Sequence, residues 1–440
     1  MNSVCAAVFV KAVCVNQSDH SNNLTVKLAF ASFILLGMMG GLIGVAWPAI
    51  RTELGLRLDA VGTLLLASTL GYLSASFLTG PVAYRIGAGR MFALGSAFIL
   101  AGMAMYAIGA SWYLFIAASF VAGLGSGTLD GGLNAYVAAH YSTRAMNWLH
   151  AFFGIGVTIS PLFVTAALNA GAQWIHAFWS LDSVAPSLIE FLVFKAGTWR
   201  GGYLIVGLVA IVMTVLLALN RNRFRAVVVE SSAPKRGVSA FATLRLPQVW
   251  FGIFMFVFAA GVEATPGQWT FSLFTQARGI DTVSAGFWVS VYWGSFTIGR
   301  MLFGTYLPKI SNANLLRICI AVAIVGALLL WWNPLPAVGF VGLVLLGFAQ
   351  APIFPVLVSE TPRYIGVGHS QNAIGFQVSG AGLGIAGLPS FAGVLAAAVG
   401  LEVISPFVLA GLVALFILHE FRIAYHAAHP LVREAFSAGD

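Results

Sequence analysis

Apolar residues run through this chain in long blocks, not in the alternating or every-third-residue patterns of elements half exposed to water. Twelve blocks stand out, at roughly 27–50, 60–83, 91–110, 113–139, 145–169, 201–219, 249–275, 283–306, 315–332, 337–359, 371–398 and 406–421. Most are close to the ~20 residues that a helix needs to cross a hydrocarbon layer. The pattern predicts an all-α polytopic membrane protein of twelve transmembrane helices in two six-helix bundles. The longest interior links are 170–200 and 220–248. The first carries Trp174, Phe178 and Trp179 and an amphipathic piece, 187–195, that suits a membrane surface. The second mixes Ser231, Ser232, Pro234 and Gly237 with basic residues, as a linker between halves would. The expected organisation is an extension at 1–26, a bundle at 27–219, a basic linker at 220–248, a second bundle at 249–421 and a tail at 422–440. The apolar run 4–15 is short and interrupted by Lys11, with no small-residue cleavage site after it. A cytoplasmic tail or a misassigned start fits 1–26 better than a signal peptide.

Composition narrows the class. The chain has 440 residues, 59% hydrophobic and 8% charged, with mean hydropathy +0.91. A soluble domain carries about 25% charged residues. Too few charges remain to coat a soluble enzyme, a nucleic-acid module or a disordered chain. The net charge of +8 reflects where basic residues sit. With the N-terminus inside, sixteen Lys and Arg fall on the cytoplasmic side, five fall outside and Arg300 lies within a span. That asymmetry predicts both termini in the cytoplasm of a cell inner membrane and an even helix count. The three cysteines show no metal spacing.

The halves repeat. At an offset of 224, Gly55 falls on Gly279, Gly62 on Gly286, Gly80 on Gly304, Arg85 on Lys309 and Gly123 on Gly347. With two further residues, Gly154, Gly156 and Ile159 meet Gly380, Gly382 and Ile385. Duplicated bundles predict a rocking transporter with its site between the halves.

The run Gly80-Pro-Val-Ala-Tyr84-Arg85-Ile-Gly87-Ala-Gly-Arg90, echoed at Gly304 to Ser311, resembles the signature loop of the major facilitator superfamily. The acidic residue of that loop is replaced here by Tyr84 and Pro308. Trp199-Arg200 and Gly299-Arg300 resemble other features of the superfamily. The resemblance implies gating roles for Arg85, Arg90 and Lys309. Four further segments are similar to the fucose permease-like branch, which includes sodium-dependent glucose transporter relatives. They are Gly123 to Asn134 in span 4, Asn147 to Pro161 in span 5, Gly261 to Trp269 in span 7 and Asn372 to Pro389 in span 11. Span 1 lacks the acidic residue of the fucose permeases.

Two carboxylates lie deep in spans, Asp130 and Glu263, one in each half. An ionised Asp at a helix centre costs about 2.5–3.5 kcal/mol on insertion scales, so such residues tend to face a cavity. Asp130 and Asn134 share a helix face. Asp130 serves either as an interhelical tie or as a proton carrier that changes state with access to water. Glu263 is followed by Pro266 and Gly267, expected to loosen the helix, and by Gln268 and Trp269. Glu263 is, with Asp130, a candidate for proton coupling; its carboxylate, the amide and the indole together also suit a sugar, and packing or interfacial anchoring is the alternative. His150 and Asn147 in span 5 and Gln377 in span 11 are further candidates for the cavity wall. Arg300 is expected to pair with Glu360 in a gate near the cytoplasmic ends of spans 8 and 10.

The expected function is a proton-coupled symporter of a small polar solute, sugar or sugar-like, working as a monomer among membrane lipids. No cofactor, metal or nucleic-acid partner is expected. Sodium coupling is a close variant. A drug or metabolite exporter is a rival, although Gly156 to Pro161 has Ser160 where antiporters carry glycine. A receptor or scaffold on the same fold predicts no flux. An enzyme is disfavoured, because His140, His369, His419 and His426 are scattered without metal spacing.

Overall fold

The computed structural model describes residues 24–141, 143–170, 198–224, 239–305 and 310–428. The amphipathic piece 187–195, Lys309, residues 225–238 of the expected central linker and most of the expected extension and tail lie outside them. Thirteen long helices build the described part, with a short one at Ala240–Leu244 before the second half. The first half holds α1 (Leu24–Leu54), α2 (Val61–Ile86), α3 (Ala88–Ile108), α4 (Trp112–His140), α5 (Thr143–Ala170) and α6 (Arg200–Leu219). The second holds α7 (Pro247–Ser272), α8 (Thr282–Thr305), α9 (Asn312–Trp332), α10 (Pro336–Gln350), α11 (Ile353–Ile365), α12 (Val367–Val399) and α13 (Ile404–Ala428).

Span 10 is the pair α10 and α11, broken around Pro352, which has no N–H to continue the ladder. The twelve crossings therefore match the apolar blocks, and an even number returns the chain to the face it started from. Helices overrun the blocks: the first reaches Leu54 and the last Ala428, inside the expected tail. Hydropathy marks only the ~30 Å hydrocarbon layer, whereas helices continue into the headgroup region. Among the described residues, eleven helical segments are long and apolar enough to cross a membrane. The crossing that falls short is α8, because Ser, Thr, Tyr and Trp residues and Arg300 run along it.

Local chemistry sets the helix ends. Pro247 and Pro336 open α7 and α10 from positions where the missing N–H costs nothing. The Ser111 and Ser311 hydroxyls cap α4 and α9. Asp281 caps α8 by accepting from the Ser284 N–H at 2.9 Å, which holds its carboxyl below the usual range. Contrary to the sequence expectation, α7 runs unbroken through Pro266, and its irregularity is a π-helical turn at Leu273–Ala277.

The repeat is visible in the packing. Gly55 and Gly279 end the first helix of each half, both at φ +62°, a conformation that costs glycine nothing. Gly123 sits against the Ser68 carbonyl, and Gly347 against that of Tyr292. Further along the register differs from the sequence pairing: Gly156 meets the Ile34 carbonyl, and Gly384, not Gly382, meets that of Val257.

Each half also carries an ion-pair latch at the face opposite the chain ends, with reversed polarity. In the first, Arg200 at the start of α6 grips Glu53 at the end of α1 at 2.6 Å and donates to the Gly109 carbonyl after α3 at 2.8 Å. In the second, Arg278 just after α7 grips Glu402 before α13 at 2.8 Å and donates to Leu330 O near the end of α9 at 2.9 Å.

The halves meet along α1 with α7, α5 with α8, and α2 with α12. Gly44 abuts the backbone of Gly267 and Gln268, Gly286 meets Thr165, and Gly62 meets Ser390. These contacts lie towards the face opposite the chain ends. Halfway along, Gly154 meets Thr297, whose hydroxyl is 3.3 Å from that of Thr158. On the other side of that level, Gly375 of α12 has open space where a Cβ would stand. The described contacts between the halves thus lie at mid-depth and towards the far face, where they close the seam.

Candidate functional site

Two polar clusters occupy the spans, one in each half. The first is built by the seam between α2 and α4. Gly127 lacks a side chain, so the α4 backbone rests on the Tyr72 carbonyl. That places the Tyr72 phenol one turn on, where it donates to Asp130 Oδ2 at 2.5 Å. Asn134, one turn further, donates to Asp130 Oδ1 at 2.9 Å. Both carboxylate oxygens therefore have neutral donors. Asp130 and Asn134 come together as their spacing predicts, and Tyr72 completes the group.

The second cluster joins α7, α8 and α5. Glu263 lies at the middle of α7, and its carbonyl accepts from Tyr292 Oη at 2.7 Å. Its carboxylate stands 3.9 Å from Arg300 Nη2, and both side chains are about one-fifth exposed, 20% and 21%. Glu360 is not the partner of Arg300. It is buried and bonded to Asn312 at 2.8 Å, with Arg363 at 3.5 Å. Depth along the helices suggested the Glu360 pairing. Direction around α8 decides otherwise, because Arg300 extends over Phe296, 4.4 Å from the ring centre, towards α7. Across the seam between halves, His150 packs edge-on against Phe33 and lies within electrostatic reach of Arg300.

Three buried donors in and beside this cluster have no hydrogen-bond partner: Arg300 Nε, Trp293 Nε1 and Gln268 Nε2. Trp293 packs against Gly267, the neighbour of Gln268. Other candidates lie elsewhere. Trp269 is fully buried and donates to Pro389 O at 2.9 Å, so it packs α7 on α12 and offers no ring face to a solute. Gln377 is buried between α12 and α11, accepting from Thr361 at 2.8 Å. The Asn147 side chain is outside the description. Arg85 and Arg90 are exposed at the turn after α2, where neither forms an ion pair among the described residues. Sequence reasoning missed Tyr72, Tyr292 and Trp293. The unusual polarity of span 8 was the available signal for the last two.

Comparison with known proteins agrees with this architecture. The family model described as Major Facilitator Superfamily matches residues 29–181 and 183–355. The human sodium-dependent glucose transporter 1 is 24% identical over 83% of this chain and 72% of its own. The glucose/mannose transporter GlcP of Bacillus subtilis is 21% identical over 76% of this chain and 79% of its own. Among solved structures, a bacterial homologue of the lysosomal transporter Spinster, inward-facing and unoccupied, superposes with a TM-score of 0.70 at 16% identity, covering 94% of this chain and 97% of that one. FucP in the outward conformation gives 0.61 at 17% identity over 91% and 98%.

Proposed function

Since the chain belongs to the Major Facilitator Superfamily, we propose that it is a secondary transporter carrying a sugar-like solute through the cleft between its halves, in symport with protons. The observation that carries this reading is the cluster at α7 and α8. A carboxylate, a guanidinium and an indole N–H gather around Glu263 and Gly267, with the Gln268 amide beside them, and the Arg300 Nε, Trp293 Nε1 and Gln268 Nε2 donors lack protein partners. Hydroxyl-rich solutes satisfy such donors, and burying them unmet costs about 1–3 kcal/mol each. The named glucose transporters among the relatives support the same solute class.

Proton coupling is assigned to Glu263, whose ionised form has Arg300 beside it and whose protonated form releases that cation. Asp130, bonded only to neutral donors, is assigned to solute binding and to holding α4 on α2, not to the coupling expected from sequence. The excess of basic residues on one side supports a reading in which the termini and the open end of the cleft face the cytoplasm across an inner membrane. Gating by Arg85, Arg90 and Lys309 belongs to that cytoplasmic end, and the protein is taken to act as a monomer.

The test is uptake by proteoliposomes of the purified chain, screened with labelled neutral hexoses and sugar acids under proton or sodium gradients. Accumulation of a sugar under an inside-alkaline gradient, lost in Glu263→Gln while solute exchange persists, supports the reading. Absence of flux for every sugar overturns it. The names of the human and mouse relatives favour sodium as a second reading. Accumulation that follows sodium and ignores pH would establish that one instead.

A further inference from the structure

Resting on that reading, we infer that the solute is an anionic sugar, a sugar acid carrying one carboxylate, and that it crosses electroneutrally with one proton. The inference follows from counting charge in the two states that must cross the closed membrane. In the empty carrier Glu263 is ionised and faces Arg300 at 3.9 Å, so this pair sums to zero, while Asp130, held by Tyr72 and Asn134 in the other half, carries the same charge in both states. In the loaded carrier Glu263 holds the coupling proton, and Arg300 is left as a cation without a counter-charge. Among the described residues, the other titratable groups beside the pair are His150 on α5 and Tyr292 on α8. Neither is an anion near neutral pH. A neutral hexose leaves that positive charge uncompensated in a low-dielectric space, where an unpaired charge is strongly disfavoured. A solute carboxylate cancels it.

The geometry suits that exchange. The 3.9 Å separation is loose for an Arg–carboxylate pair, whose charge-assisted bonds close to ~2.7–2.9 Å. The Arg300 Nε is buried without a partner, and Phe296 supports the guanidinium from 4.4 Å, leaving its edge to bind a carboxylate through two N–H groups. When the proton moves from the outer medium onto a Glu263 oxygen, the solute anion replaces Glu263 at Arg300. When the solute leaves inward, Glu263 gives up the proton and recovers the guanidinium.

A second, independent feature points the same way. At the opposite face, between the halves, a cleft of about 490 Å³ is lined by Arg51, Arg57, Leu58, Ala396 and Ala397. Arg57 is matched by Asp59 at 3.1 Å, but among the described residues Arg51 reaches the neutral Gln276, at 3.4 Å, with no carboxylate paired to it, and its Nε is buried without a partner. The mouth through which solute arrives is thus net positive, which raises the local concentration of anions.

Labelled D-glucuronate and D-glucose are the probes, in proteoliposomes of the full chain with valinomycin and potassium setting the potential. Glucuronate should accumulate about tenfold per pH unit of inside-alkaline gradient, as one-to-one symport requires, with no change when the potential is varied. Arg300→Gln should lose glucuronate uptake, and Arg300→Lys should retain part of it. Should Arg300→Gln fail to fold, Glu263→Gln decides. It mimics the proton-loaded state, so it should exchange glucuronate faster than wild type at pH 8 yet not accumulate it. Glucose accumulation that responds to potential, with glucuronate unmoved, overturns the inference and leaves the sugar-transport reading intact. If neither probe nor any other sugar moves, that reading falls and takes this one with it.

Discussion

Asp130 shows what one residue owes to its neighbours. Its two oxygens accept from Tyr72 and Asn134, one donor on α2 and one on its own helix. Hydrogen bonds to a charged group contribute about 1.5–3 kcal/mol each, roughly ten- to a hundredfold if felt at the transition state. Tyr72→Phe and Asp130→Asn should each slow initial uptake by about tenfold. Because the groups act as one unit, the double variant should be no slower than the worse single, a coupling that independent roles would not give. A double variant slower by the product of the two effects would separate them. The Asp130–Asn134 half of this cluster was legible, since a spacing of four fixes a shared helix face. Tyr72, 58 residues away, was not. Arg300 illustrates the same limit. Sequence gives a residue's depth in its span but not the direction it points around the helix, so Glu360 stood in for Glu263.

At the level of helices, the blocks of apolar residues disclosed every crossing, because lipid imposes length and polarity on each one separately. The break at Pro352 and the π-turn at Leu273–Ala277 were not disclosed, because both depend on what the helix packs against. The paired latches were hidden for a different reason. Glu53 with Arg200 and Arg278 with Glu402 occupy corresponding places with opposite charge, so a search for identical residues counts them as mismatches. The side chain of Arg200 is 2% exposed and that of Glu53 40%. Breaking a fully buried pair costs ~3–5 kcal/mol. Solvent at Glu53 lowers this, and Glu53→Arg alone should destabilise the protein in detergent by about 2 kcal/mol. The double exchange, Glu53→Arg with Arg200→Glu, recreates the second half's arrangement, with the new Arg able to seek the Gly109 carbonyl. It should recover a substantial part of the lost thermal stability. A double exchange less stable than either single change would show that the latches are not interchangeable.

For the molecule as a whole, the distribution of glycine and small hydroxyl residues decides which way the cleft opens. The two halves approach by backbone contact at Gly44, and by glycine against a hydroxyl side chain at Gly62, Gly154 and Gly286. Such contacts have no slack. A Cβ on Gly44 would fall 2.5 Å from the Gly267 carbonyl oxygen and 3.0 Å from that of Gln268, and backbone cannot move aside as a flexible side chain can. The structure therefore closes its far face only because these positions are small, and the energy difference between its two orientations should be adjustable from there. Gly44→Val should hold the far face apart and shift the population towards the outward-open form, with solute exchange slowed because each cycle needs the closed far face. Spin labels at the exposed Thr52 and Val283, one at the far end of each half, read the change directly. The distance distribution should move to longer values in Gly44→Val and narrow towards the short, closed value in the unsubstituted protein. If the distribution stays short while transport falls, the contact at Gly44 governs packing within the closed state, and the control of opening must lie at another pair of helices.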